Sequence, residues 1–230
     1  KILSNCVQSV LENDYNNLVI TIIDNGSSDD SLKFIHENNI IKILRINQNL
    51  GFSKGYNFAF EKIKNENDDY YLILNNDTIL QKNTISSLVK SLTKYGKKNI
   101  LSPKIINHYN KKNWFCGGGI NLLTGTPYHY GINKFDLITE YKSSETDYVS
   151  ACCMLIKKSV INNLGGFNES YNMYLEDVDI CMRAKKNGHK CYFISDSIMN
   201  HMISYSLGGR YSLKKYIIKI DSFIKFLYFN

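Results

Sequence analysis

The strongest constraint in this sequence is its alternation of short, continuously apolar runs with stretches of helical period. Leu3, Val7, Val10 and Leu11 recur at helix spacing over 2–13, and apolar runs follow at about 17–23, 40–46, 70–77 and 99–103. Between these runs the pattern predicts helices over 30–39, 53–65 and 83–95. Strands that are apolar throughout, separated by helices of about ten residues, indicate parallel β-α-β units whose sheet is buried on both faces. The stretch 107–147 breaks this rhythm with Gly, Tyr, Asn and Lys, and reads as irregular loops and short hairpins. The α/β pattern returns with a strand over 148–156, a helix starting at Lys157, a helix over 175–187 and a strand over 191–194.

This organisation predicts one domain: a nucleotide-binding half at 1–104, an acceptor and catalytic half at 105–210, and a basic amphipathic helix at 211–230. A parallel sheet normally opens with a strand, whereas the first element here is a helix. The expectation is a sheet lacking its first strand, which would belong near the middle.

Composition narrows the function classes. The 230 residues carry 28 Lys+Arg against 21 Asp+Glu, a net charge of +7, which favours an anionic partner. No apolar run reaches the length of a membrane-spanning helix, and KILSNCVQSV does not read as a signal peptide. The six cysteines form no CxxC pair, which removes the zinc-ribbon and thioredoxin readings and points to reduced thiols in a cytoplasmic protein.

Open parallel sheets bind ligands at the carboxyl ends of their strands, and several polar clusters fall there. In Asp24-Asn25-Gly26-Ser27-Ser28-Asp29-Asp30, one acidic or hydroxyl residue can cap the next helix. That does not explain Asp24, a carboxylate at the end of a buried strand that requires a partner. Asn49-Leu50-Gly51-Phe52-Ser53-Lys54-Gly55-Tyr56-Asn57 places glycines and a lysine at a strand-to-helix turn. Such a turn can attract phosphate or serve only as a turn, and its spacing is neither GxGxxG nor GxxxxGK. Asn75-Asn76-Asp77-Thr78 leaves a buried strand with a carboxylate suited to a hard divalent cation shared with substrate phosphates, or with plain turn chemistry. Glu176, Asp177 and Asp179 crowd a helix start, where acids suit the helix dipole and one of them can instead serve as a general base. His201 follows the last strand.

Taken in order, DNGSSDDS, NLGFSKGYN, YLILNNDT, GGGINLLTG, GGFNESYNMYLEDVDICMR and His201 resemble the family 2 glycosyltransferases of GT-A fold, in particular their rhamnosyltransferase-like bacterial branch. The resemblance implies an α/β nucleotide-diphospho-sugar transferase fold with a mostly parallel central sheet flanked by helices. It implies metal-dependent, inverting transfer of a sugar from a dTDP- or UDP-sugar to a hydroxyl of a glycan or lipid-linked acceptor in cell-surface polysaccharide synthesis. Asp24, Asn25, Gly26, Ser27, Asn49, Gly51, Lys54, Asn57 and Asn76 would face the nucleotide. Asp77, with His201, would hold Mg²⁺ or Mn²⁺, and Asp177 would be the base with Glu176 as its rival. The family's nucleotide contact on its first strand has no counterpart here.

A second reading is a binding module: an inactive nucleotide-sugar sensor, or a basic nucleic-acid binder. The lysines are scattered and no nucleic-acid motif is present, so no nucleic-acid partner is expected. In the C-terminal stretch, Ile217, Ile220, Ile224 and Leu227 share a helical face flanked by Lys214, Lys215, Lys219 and Lys225. That helix either lies on the inner face of a membrane or packs on the rest of the protein.

Overall fold

The computed structural model describes residues 1–121, 123–135, 141–171, 173–202 and 213–229. Tyr211 and Ser212 of the expected C-terminal helix lie outside the described residues. The first half follows the apolar pattern closely. Helix α1 (Ile2–Leu11) leads to strand β1 (Ile20–Asn25), and β2 (Ile41–Ile46) pairs with β1 in parallel. Helix α2 (Phe52–Lys62), β3 (Tyr70–Leu74), β4 (Thr78–Leu80), α3 (Thr84–Tyr95) and β5 (Ile100–Asn107) follow.

One expected helix is not formed. Residues 30–39 make a turn, with Lys33 N–H donating to Asp30 O and Ile35 N–H to Leu32 O. The Asn38 side chain then accepts from the backbone of Ile40 and Ile41. Leu32 and Ile35 supply too narrow an apolar stripe to anchor a helix, and Asn38 offers the backbone a local alternative.

The irregular middle contains β6 (Asn113–Phe115) and a short hairpin of β7 (Gly118–Ile120) and β8 (Pro127–His129), with β9 (Ser144–Thr146) beyond. Then come β10 (Cys153–Lys157), α4 (Lys158–Asn163), α5 (Glu176–Lys186), β11 (Cys191–His201) and α6 (Leu213–Phe229). Strand β11 is far longer than the expected 191–194. It continues past a register shift between Ile194 and Ile198 to end at His201.

Two sheets carry the site. One is the β1–β2 pair. The other runs β3-β10-β5-β11-β4, with β6 on β5 and β9 on β11. Strand β11 is parallel to β5, while β10 is antiparallel to both β3 and β5. So β3, β5 and β11 share one direction, with β10 inserted against them. Ile73, Leu101, Ile105, Met154 and Ile156 fill the centre of this sheet and are fully buried, each contributing about 1.5–3 kcal/mol.

All six cysteines are free and buried, as expected for thiols that fill small apolar sites. Cys152 and Cys153 do not pair with each other.

Candidate active site

The turns after β1 and β2 are built as one wall. The Asn25 side-chain amide donates to Gly51 O (2.9 Å), and its carbonyl accepts from Leu50 N–H (2.9 Å). Asn49 Oδ1 accepts from Gly51 N–H at 2.9 Å. Gly26 (φ +71°) closes the contact, since a Cβ there would fall 2.6 Å from the Gln48 carbonyl carbon. A glycine is required at this left-handed, backbone-crowded position. Asp24 Oδ1 accepts from Ser27 N–H at 3.0 Å, so one partner is the turn itself. Gly26, Ser27, Asn49 and Lys54 are exposed on this wall.

Asn57 makes its hydrogen bonds elsewhere. Its amide donates to Phe167 O and Glu169 Oε1, and its carbonyl accepts from Phe167 N–H. Its polar atoms tie α2 to the Gly165–Gly166 loop.

Asp77 and His201 meet across the β4–β11 ladder, where Thr78 is the register partner of His201. His201 Nε2 lies 3.2 Å from Asp77 Oδ1. Asp77 Oδ1 and His201 Nδ1 are both buried without a hydrogen bond among the described residues. Buried polar atoms of this kind need a partner, and a carboxylate oxygen and an imidazole nitrogen suit a divalent cation. No cluster of three such ligands exists among the described residues. Asn76 is exposed beside this pair.

Helix α5 begins after two residues in the left-handed region, Tyr174 (φ 70°) and Leu175 (φ 68°). Backbone strain of this kind costs about 1–3 kcal/mol per residue and gathers at functional sites. Here it aims the acidic first turn, and the three acids separate by role. Asp179 pairs with Arg183 at 2.8 Å, while Arg183 also donates to Leu164 O and Gly166 O. Asp179 therefore braces the glycine loop. Asp177 accepts from Ala151 N–H (3.2 Å) and from Val178 N–H (2.9 Å), and burial raises its carboxyl pKa.

Glu176 is buried with Oε2 unpartnered among the described residues. Burial, with the Asp177 charge second, pushes its pKa up to about 8. At neutral pH the pair then carries one charge more readily than two. The folded protein keeps a proton on Glu176 that the unfolded chain releases above 4.5, the ordinary value. The stability this confers is full below pH 4.5 and is lost as pH rises towards 8. Glu176→Gln is expected to flatten the stability profile across that window, as read by urea unfolding at several pH values.

The two carboxylate centres share one floor. Asn75 N–H donates to Cys152 O, and Ala151 N–H donates to Asp177. The Cys152 thiol feels both the Asp77 and the Asp177 charge. Residues 151–152 thus bridge the β3 end to the start of α5.

The structure adds a cluster that the motifs did not reveal. Trp114 lies 5.0 Å from His201 and 4.6 Å from His129, ring centre to ring centre. His129 Nδ1 sits 3.0 Å from Trp114 O, and burial lowers its pKa to about 4, so it is neutral. The only cue in the sequence is the single tryptophan, because no spacing links residues 114, 129 and 201.

The mixed sheet, with polar groups gathered at its strand ends, is that of a GT-A fold. Residues 1–165 match the family described as glycosyl transferase family 2, and the chain belongs to it. It is 28% identical over 193 residues to the low-salt glycan biosynthesis hexosyltransferase Agl10 of Haloferax volcanii, covering 79% of this chain and 59% of that protein. It is 22% identical over 210 residues to an N-acetylglucosaminyl-diphospho-decaprenol L-rhamnosyltransferase of Mycobacterium tuberculosis, covering 82% and 68%. The crystal structure of GalNAc-T7 with UDP, GalNAc and Mn²⁺ superposes with a TM-score of 0.69 at 15% identity, covering 87% of this chain and 41% of that one. Residues 1–349 of S. aureus TarS with UDP give 0.64 at 14% identity, covering 88% and 56%.

Proposed function

We propose that this domain moves a sugar from a dTDP- or UDP-sugar to a hydroxyl of a glycan or lipid-linked acceptor, with inversion, in building a cell-surface polysaccharide. The observation that carries the reading is the shared floor: Asp77 with His201 on one side of residues 151–152, and Asp177 on the other. The amide wall of Asn25, Asn49 and Gly51, with Asp24, Gly26, Ser27, Lys54 and Asn76 around it, would receive the nucleotide. Asp177, its carboxylate fixed by two backbone N–H groups, would take the proton from the acceptor hydroxyl as its oxygen attacks the anomeric carbon. The diphosphate would depart from the opposite face, so a single displacement inverts the centre. A raised pKa suits a base that works near neutrality. Asp77 and His201 would hold Mg²⁺ or Mn²⁺, which when bound offsets charge on the leaving diphosphate. Glu176, protonated beside Asp177, would keep the pair from carrying two charges.

The test is a thermal-shift and transfer screen of UDP-, dTDP- and GDP-sugars with Mn²⁺. Stabilisation by a nucleotide sugar followed by turnover is expected. Nucleotide binding without turnover would favour the sensor reading.

The same reading includes a peripheral contact with an anionic membrane through α6. One face of this helix is docked: Ser222 Oγ donates to Met173 O, and Phe226 is buried. The opposite face leaves Ile217, Ile220, Ile224 and Leu227 between 55% and 63% exposed. Leu123, 97% exposed, extends this apolar surface, because Gly125 on its turn lies against the Leu227 side chain. No described helix is long and apolar enough to cross a membrane, so α6 would lie in the interface plane. Co-sedimentation with phosphatidylglycerol vesicles is expected, and is expected to fall about tenfold in the Ile220→Ser/Ile224→Ser variant.

A further inference from the structure

The turn ahead of α5 does not hold itself. Tyr174 (φ 70°) and Leu175 (φ 68°) are consecutive non-glycine residues in the left-handed region. An L side chain there crowds its own backbone, so such a pair persists only where its surroundings over-determine it. On one side the turn is fixed by the helix it starts, with Asp179 N–H donating to Leu175 O at 2.9 Å. On the other side the restraint comes from α6, 49 residues further along the chain.

Among the described residues, α6 reaches this segment at three points. Ser222 is fully buried, and its hydroxyl donates to Met173 O at 2.7 Å. The Lys219 ammonium lies 5.2 Å from the centre of the Tyr174 ring. The Phe229 ring meets Tyr171 edge-on, 6.4 Å between centres. Residues 219, 222, 226 and 229 share one helical face, and Phe226 on that face is buried. A serine inside a helix commonly turns its hydroxyl to solvent or to a carbonyl of its own preceding turn. Ser222 instead holds the last carbonyl before the left-handed pair.

The turn leads directly into Glu176 and Asp177. Asp177 accepts from Ala151 N–H and Val178 N–H at 3.2 and 2.9 Å, and a displacement of about 0.5 Å is enough to take a functional group out of its working geometry. We propose that α6 clamps this turn, and that Ser222 is the positioning residue for Asp177, acting through the Met173 carbonyl. The hydroxyl sets where the chain enters the left-handed pair, the pair sets where α5 begins, and the helix start sets the carboxylate. Lys219 adds to the hold from outside, over Tyr174. That Asp177 takes a proton rests on the proposed transfer reaction, whereas its placement by α6 rests on the packing alone. If Ser222 only anchored α6, its loss would loosen that helix and leave the acid pair where it is.

The test replaces Ser222 by alanine in the 230-residue chain. Alanine is the best helix former, so α6 is expected to remain. Amide hydrogen exchange at Ala151, whose N–H is held by the Asp177 carboxylate, is expected to quicken about tenfold, while Leu101 and Ile105 in β5 exchange as before. In transfer from a nucleotide sugar with Mn²⁺, kcat should fall about five- to tenfold with the KM for the nucleotide sugar unchanged, because the amide wall stands on other elements. Lys219→Met should act in the same direction to a smaller degree. Lys219→Arg should match the unaltered chain, since a guanidinium also sits on an aromatic face. Unchanged exchange at Ala151 in Ser222→Ala would overturn the proposal, with or without turnover. So would quickening that extends equally to β5, or a rise in KM with kcat untouched. A chain that transfers no sugar yet shows the quickened exchange would sink the transfer reaction and support the clamp.

Discussion

Asp177→Asn is expected to lower the transfer rate by about 10²–10⁴-fold, the usual worth of a positioned general base, while nucleotide binding survives. The effect should fall on kcat, because the acceptor proton is lost only in the transition state. The substitution also has a structural cost that follows from the geometry. Both carboxylate oxygens accept backbone N–H groups, from Ala151 and from Val178, and an asparagine offers one acceptor where two are needed. A stability loss of about 1–3 kcal/mol is therefore expected, and the rate must be read at a temperature where the variant is fully folded. Glu176→Gln should retain far more activity, since a residue that already holds its proton loses little on becoming an amide. Full turnover by Asp177→Asn, or a larger rate loss in Glu176→Gln, would exchange the roles of the two acids.

Asp77→Ala should reduce the rate by on the order of 10³-fold, the equivalent of the several kcal/mol that a cation contributes at a leaving diphosphate. Chelation of the unaltered protein should match it, and adding Mn²⁺ back should restore the unaltered protein but not the variant. The backbone should hold, because Asp77 O still accepts from Met202 N–H (2.8 Å). The substitution also removes the only acidic neighbour of His201 within ion-pair distance among the described residues, so His201→Ala should produce a loss in the same direction. A variant at Asp77 whose rate still follows Mn²⁺ concentration unchanged would remove this carboxylate from the metal assignment.

Much of the first half was legible because β3 is apolar on consecutive positions and Ile20, Ile22, Ile23, Ile41, Ile43, Leu44 and Ile46 make β1 and β2 mostly β-branched and apolar, and such runs have few alternatives to a strand. The 30–39 segment misled because it carries helix-forming residues but only Leu32 and Ile35 as anchors, and packing settles such cases. The length of β11 was hidden because Ser195, Asp196 and Ser197 interrupt its apolar pattern at the register shift, a feature that only the neighbouring β5 reveals. At the site, the motif order singled out Asp24, Asp77, Asp177 and His201, whose roles are proposals. It left Glu176 as the rival of Asp177, since what sets the two apart is burial and the backbone N–H groups that Asp177 accepts from Ala151 and Val178. It could not show that Asn57 is held by Phe167, or that Trp114 and His129 stand beside His201, because these contacts join residues far apart in the chain.

Trp114 is the chain's single tryptophan, and it sits 5.0 Å from the imidazole of His201. Its emission therefore comes from one chromophore at one address. Any ligand that shifts or charges that imidazole alters the indole's surroundings, so a titration in an ordinary fluorimeter can follow occupancy at this corner of the cleft without a label. The protein carries its own optical gauge.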